Sequence, residues 1–221
     1  MSGRAAAKST PAKGERDEDG RSLRAERMRE RRRREVLDVA LRVFSERGYH
    51  LARIDDIVRE AGVARGTFYL YFESKNAIFH ELLDELLGRI RASVAGVDVG
   101  PSAAPLREQV LTSVRNVLAS FQASPELTRV VLREAVGLDR EITRKLEDFY
   151  GGLHRWLADS LANGARLGLL REMNVELVAW CVMGSVRQMA QLLVESGGER
   201  LDVDAMSAAL LDHHLEGVLA R

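Results

Sequence analysis

The sequence predicts an all-α chain in two helical parts, and three observations carry that prediction. Leu, Ala, Arg and Glu are abundant while the 221 residues hold only 4 prolines and 5% aromatics, a composition that leans toward helix. Apolar residues recur with a helical period from about Arg33 onward. Strand-like alternation bounded by turns is not seen anywhere, and there is no internal repeat. At 46% apolar and 30% charged the chain has a globular composition and falls outside the collagen, mucin-like and disulfide-scaffold classes.

The elements follow in order. Residues 1–30 hold few apolar side chains and are expected to form a disordered basic tail, since they cannot bury enough surface to offset their ordering entropy. The tail ends in Arg24, Arg27, Arg29 and the run Arg31 to Arg34. Leu37, Ala40, Leu41 and Phe44 then fall at i, i+3, i+4 and i+7 of a first helix, which Gly48 ends. Ile54, Ile57, Val58 and Ala61 make the inner face of a second helix, stopped by Gly62. A third begins near Arg65 and reaches about Tyr71. Two short helices joined by a glycine turn give a helix-turn-helix pattern. Ser74 caps a fourth, long helix that carries Ile78, Leu82, Leu83, Leu86, Leu87 and Ile90. Residues 96–105 are rich in breakers and mark the boundary between a domain over 31–95 and one over 96–221. Five more helices are expected at about 106–122, 126–137, 139–164, 174–196 and 203–220, with Ser124-Pro125 as an N-cap and N1 pair and Gly137, Gly168 and Gly197-Gly198 as punctuation.

The zero net charge hides an asymmetry. The first 75 residues carry 18 Lys and Arg against 13 Asp and Glu, and the rest of the chain has the opposite imbalance. A basic end on an acidic, apolar-rich body points to an anionic partner for the first part only. The third helix presents Arg65, Thr67, Tyr69 and Tyr71 outward, with Gly66 at its start and Phe68 and Phe72 inward. Arg suits the guanine edge, and hydroxyls and free helix N–H groups suit phosphate oxygens. This pattern fits a recognition helix in a major groove. A three-helix protein-docking module is the rival reading from the residues alone.

The same residues resemble the DNA-binding domain of the TetR family of bacterial transcriptional regulators. The likeness spans about residues 33–80 and rests on Ala40, Phe44 and Gly48-Tyr49, on Ile54-Asp55-Asp56-Ile57, on Ala61-Gly62-Val63, on Gly66-Thr67-Phe68-Tyr69 and on Tyr71-Phe72 with Ser74-Lys75. It implies a homodimer on a palindromic operator in double-stranded DNA, and a C-terminal domain for dimerisation and ligand binding. In that domain a small apolar effector would change the spacing of the two heads; the regulator would be a repressor released by it. Activation, gating by a protein partner and an effector-free architectural role are the alternatives. Arg65, Gly66, Tyr69 and Leu70 match base-facing positions, and Thr67, Tyr71 and Lys75 match phosphate-contacting ones. Lys75 stands in a first helical turn, where the macrodipole disfavours a cation, and a nearby phosphate would explain it. The family's usual Thr/Ser pair before the second helix is replaced by Ala52-Arg53. That loses an N-cap worth about 1 kcal/mol and makes Arg53 a charged substitute for the phosphate contact.

The effector pocket is expected among the helices from 106 to 196, lined by Leu118, Phe121, Val131, Phe149, Leu153, Trp156, Trp180 and Met183, with Arg187 to orient a polar group. The eighth helix has two apolar sides, one with Trp180, Cys181 and Gly184 and one with Val178, Val182, Val186, Met189 and Leu193. It must bury both, one in its own domain and one against a partner copy. Cys181 is expected to be a packed small hydrophobe. Adjacent His213 and His214 point about 100° apart on a helix and so do not make a metal site. No nucleophile elbow, P-loop or dinucleotide fingerprint is present. The chain therefore reads as a non-enzyme without metal or cofactor. No signal peptide is visible, and the longest apolar run, Leu177 to Met183, is short of the ~20 residues of a membrane span, so a cytoplasmic location without membrane contact is expected.

Overall fold

The computed structural model describes residues 13–196 and 201–218. Among them are nine α-helices and no strand. They are α1 (Lys13–Arg47), α2 (Ile54–Ala61), α3 (Arg65–Tyr69), α4 (Lys75–Ser93), α5 (Leu106–Gln122), α6 (Pro125–Glu134), α7 (Arg140–Arg166), α8 (Val175–Glu195) and α9 (Val203–Val218). The all-α class and the element order follow the sequence expectation. The pair Gly197-Gly198 and residues 1–12 lie outside the described residues.

The first helix corrects the expected disordered tail, because α1 starts at Lys13 and is 35 residues long. Disorder was inferred from the lack of burial, and burial is indeed lacking: Leu23 and Met28 are exposed. A helix already nucleated needs none to propagate. Its C-terminal half is locked by buried Val36, Leu37, Ala40, Val43 and Phe44, so each preceding residue adds one hydrogen bond without a new nucleus. Good helix formers and the exposed pairs Arg32–Glu35 (2.7 Å) and Arg34–Asp38 (2.9 Å) assist with a few tenths of a kcal/mol each.

Gly48 (φ 75°) closes α1 with its N–H on the Phe44 carbonyl. Gly62 (φ 61°) ends α2, and the Val63 N–H returns to the Val58 carbonyl, a left-handed cap that a side chain would strain. The turn aims α3 across α1 and α2. It ends two residues before the expected Tyr71, because the Leu70 and Tyr71 N–H groups close three-residue turns onto Thr67 and Phe68. Ser74 caps α4 as expected, accepting from the Ala77 N–H at 3.1 Å.

Helix α4 joins the two parts. Ile78, Phe79, Leu82, Leu83, Leu86, Leu87 and Ile90 are all buried along it, and one continuous core runs from Val36 on α1 to Leu193 on α8. Helix α6 packs on α1 and on α4, so the C-terminal helices touch the head directly. Among the described residues, only α8 is long and apolar enough to cross a membrane by length and composition. It lies against α5, α6, α7 and α9. Its Ala190, Leu193 and Val194 face inward, while Leu177, Trp180, Cys181 and Leu192 are exposed. Cys181 is therefore on the surface and not packed: it belongs to the outward stripe of the helix.

Candidate nucleic-acid interface and inner cavities

Phe68 and Phe72 are buried and their rings lie 6.1 Å apart. They fasten α3 to the head and turn its other side to solvent. Arg65, Gly66, Tyr69 and Leu70 are exposed there, with Thr67 and Tyr71 half-buried at the edges. The Arg65 guanidinium pairs with Asp55 on α2 at 2.8 Å; both side chains are well exposed, so the pair is weak and exchangeable. A side-chain carbon on Gly66 would meet nothing within 4 Å. The fold itself therefore does not require glycine there.

Arg53 is the N-cap of α2 and donates no side-chain cap; the cap comes from the other direction. The Asp56 carboxylate accepts the Arg53 N–H at 3.1 Å and pairs with Arg59 and Arg47. That backbone hydrogen bond, followed by the two guanidinium groups, holds its carboxyl below the usual carboxylate range. Half of a capping box thus replaces the hydroxyl cap that Ala52-Arg53 lacks, and the Arg53 side chain remains exposed.

Lys75, an expected phosphate contact, is tied to the loop before α2. Its ammonium donates to the Tyr49 carbonyl at 2.6 Å and the Ala52 carbonyl at 3.0 Å, and lies 4.2 Å from the centre of the Tyr49 ring. Burial lowers its pKa while the Glu134 charge opposes that shift. Loop carbonyls offset the unfavourable dipole position. The spacing in the sequence could not reveal this, because the α1–α2 loop folds back over the start of α4. Lys75→Met is expected to lower stability by about 1–3 kcal/mol, the cost of leaving buried carbonyls unpaired, in urea unfolding. A salt-dependence slope of DNA binding reduced by about one unit in the same variant would show that the ammonium also meets a phosphate.

Three neighbouring cavities lie in the C-terminal half. The α9 cavity, about 360 Å³, is bounded by α5, α7, α8, α9 and the loop before α5. The mouth cavity, about 240 Å³, lies between α4 and α7 and is the most open of the three. The inner cavity, about 200 Å³, is enclosed by α4 to α8. Of the expected lining, Phe121, Val131, Phe149, Leu153, Trp156, Met183 and Arg187 do line the inner cavity. Leu118 does not: it is fully buried in the packed core. Trp180 does not either. It is on the outward stripe of α8, 53% exposed, stacked on His154 at 4.4 Å. The α9 cavity was missed, although the apolar Val97 and Val99 in a loop and Leu210, Leu211 and Leu215 on one helix face were signals for it. His214 borders it too, with its Nε2 buried and without a hydrogen-bond partner, and burial lowers its pKa.

Comparison with known proteins agrees with this arrangement. The sequence model of the bacterial regulatory proteins of the tetR family matches residues 36–82, the segment from the buried part of α1 to the first half of α4. The HTH-type transcriptional repressor KstR2 of Rhodococcus jostii is 30% identical over 197 residues, covering 85% of this chain and 91% of that protein. The fatty acid metabolism regulator protein of Bacillus subtilis is 26% identical over 186 residues, 83% of this chain and 94% of that one. Among solved structures, the regulator FadR from Bacillus subtilis in complex with stearoyl-CoA superposes with a TM-score of 0.63 at 23% identity, covering 83% of this chain and 97% of that one.

Proposed function

This chain belongs to the tetR family of bacterial regulatory proteins, and we propose that within it the protein is a homodimeric, cytoplasmic repressor that binds a palindromic operator and leaves it when an aliphatic effector fills the inner cavities. DNA binding and transcriptional regulation come with the family. The single observation that carries the finer reading is the outward face of α3: a polar, exposed strip on a helix held rigidly by two buried phenylalanines. The unit over 31–95 reads DNA and the unit over 96–221 senses and dimerises, with the basic N-terminal part of α1 beside the head.

In this reading Arg65, Tyr69 and Leu70 face base edges, Leu70 as a partner for a thymine methyl. Gly66 leaves room for the backbone to approach the duplex. Thr67, Tyr71, Lys75 and the exposed Arg53 face phosphates, and Lys75 also holds the loop behind them. Asp55 keeps the Arg65 guanidinium aimed outward until a base replaces it. The effector class is supported by cavities walled almost wholly by apolar side chains and by the similarity to a regulator of fatty acid metabolism and to a regulator crystallised with stearoyl-CoA. A ligand releases DNA only through different affinities for two head spacings, and a coupling of about 1–3 kcal/mol is typical.

The test is selection of the operator from random DNA, followed by Arg65→Ala. Affinity is expected to fall by about 1–3 kcal/mol with relaxed preference at one position of each half-site. Equal weakening on all sequences would remove Arg65 from the base-reading set, and failure to select any symmetric sequence would overturn the operator reading.

A further inference from the structure

One indole touches all three cavities: Trp156 lines the α9 cavity, the mouth cavity and the inner cavity at once. It is 39% exposed and stands where the three cavities meet. Taken singly, the mouth and inner cavities fall below the roughly 300–1,000 Å³ of drug-sized ligand sites and the α9 cavity is near the lower limit. A ligand larger than a fragment therefore has to occupy more than one of them. Trp156 is the one residue that borders all three, and the one that the mouth and α9 cavities share, beside Phe149 and Leu153 between mouth and inner cavity.

The helix leaves room for the indole to move. Side chains on a helix lean back over the residue about four positions earlier, which for Trp156 is Gly152. A side-chain carbon at Gly152 would meet nothing within 4 Å, and Gly152 itself lines the mouth cavity. Empty space thus lies where the indole would go if it turned outward. The mouth holds one cation, Arg91, resting 5.3 Å above the Phe149 ring, and one anion, Asp148. Beyond the indole, the α9 and inner cavities present mainly Val, Leu and Phe.

We propose that Trp156 is the specificity gate of the effector site. A long aliphatic carboxylate enters between α4 and α7, keeps its carboxylate at the mouth beside Arg91, and threads its chain inward only when the indole swings over Gly152. This rests on the aliphatic-effector reading above and adds the entry route and the residue that controls it.

Gly152→Leu fills the space into which the indole turns. It should raise the octadecanoate concentration for half-release of the selected operator at least tenfold, with operator affinity itself unchanged. Trp156→Ala in the same chain should restore release, because no swing is then required. A leucine that merely blocked the ligand would not be rescued. A second measurement leaves the gate intact: Trp180→Phe makes Trp156 the sole indole of the chain, and saturating octadecanoate should red-shift its emission and increase its quenching by acrylamide. If octadecanoate releases the wild-type protein but Gly152→Leu has no effect, if the double variant stays as impaired as Gly152→Leu, or if the Trp156 emission does not move, the gate is overturned and the aliphatic effector stands. If octadecanoate neither binds nor releases the wild-type protein, the effector reading falls and the gate with it.

Discussion

Trp180→Asp is expected to turn a dimer into a monomer and to reduce operator affinity by at least a thousandfold, with little loss of the monomer fold. The outward stripe of α8 is the reason. Leu177 is 61% exposed, Trp180 53% and Leu192 43%, and exposed Cys181 and Gly184 lie between them. An apolar strip on a helix that already buries its other side is the signature of an interface. Two-fold symmetry would set this strip against its own copy, so each new carboxylate would face apolar surface or the other carboxylate near the axis and lose its water without gaining a partner. Within its own chain the Trp180 ring stacks on His154, which keeps a bond to the Glu176 carbonyl at 3.1 Å. A monomer engages one half-site and forfeits the contacts of the second, which are a large part of the roughly 10³–10⁷ advantage of specific over non-specific binding. Sedimentation at micromolar concentration with far-ultraviolet circular dichroism checks both parts. A Trp180→Asp protein that still sediments as a dimer would move the interface elsewhere.

The sequence showed that α8 has two apolar sides but not which one faces out, and that distinction decides the interface. The period of 3.6 assigns Trp180 and Val186 to different faces. Only the placement of α5, α6 and α7 shows that Val186 borders the cavities while Trp180 does not. The head was more legible. Its core residues Leu37, Ala40, Phe44, Ile57, Phe68 and Phe72 follow from local periodicity, and the two turns follow from Gly48 and Gly62, whose positive φ needs no distant contact. What the sequence did not show shares one cause. Lys75 bonds to a loop some 25 positions earlier, Leu118 is packed where a cavity wall was expected, and the α9 cavity needs α9 to return beside α5. Each depends on long-range docking, which the spacing of residues along one helix does not encode. The start of α1 is a different case: propensity continued a helix that burial had begun.

Phe68→Ala is expected to abolish operator binding while leaving ligand uptake by the C-terminal cavities as in the wild-type protein. Helix α3 has five residues, well below the length at which a helix persists in water by itself. Its N-cap, Ala64, makes no side-chain cap bond. What holds it is the insertion of Phe68, fully buried, and of Phe72 against α1 and α2, with the Arg33 guanidinium 4.7 Å from the centre of the Phe72 ring. Truncating a buried Phe to Ala typically costs about 3–5 kcal/mol, against a total stability of roughly 5–15 kcal/mol for a domain. Because the ring contacts it loses, with Tyr69 and Phe72, belong to the head, the cost falls on local opening of α3 before it reaches the whole chain. Arg65, Tyr69 and Leu70 would then lose their common orientation, and every base contact would weaken together. Hydrogen exchange is expected to accelerate over residues 64–72 and to stay slow in α7 and α8, whose buried Ile142, Phe149, Ala179 and Ala190 are remote from the change in sequence. Phe68→Leu keeps most of the buried volume and should retain binding to within about tenfold. If Phe68→Ala bound the selected operator as tightly as the wild-type protein, α3 would not be the element that reads DNA.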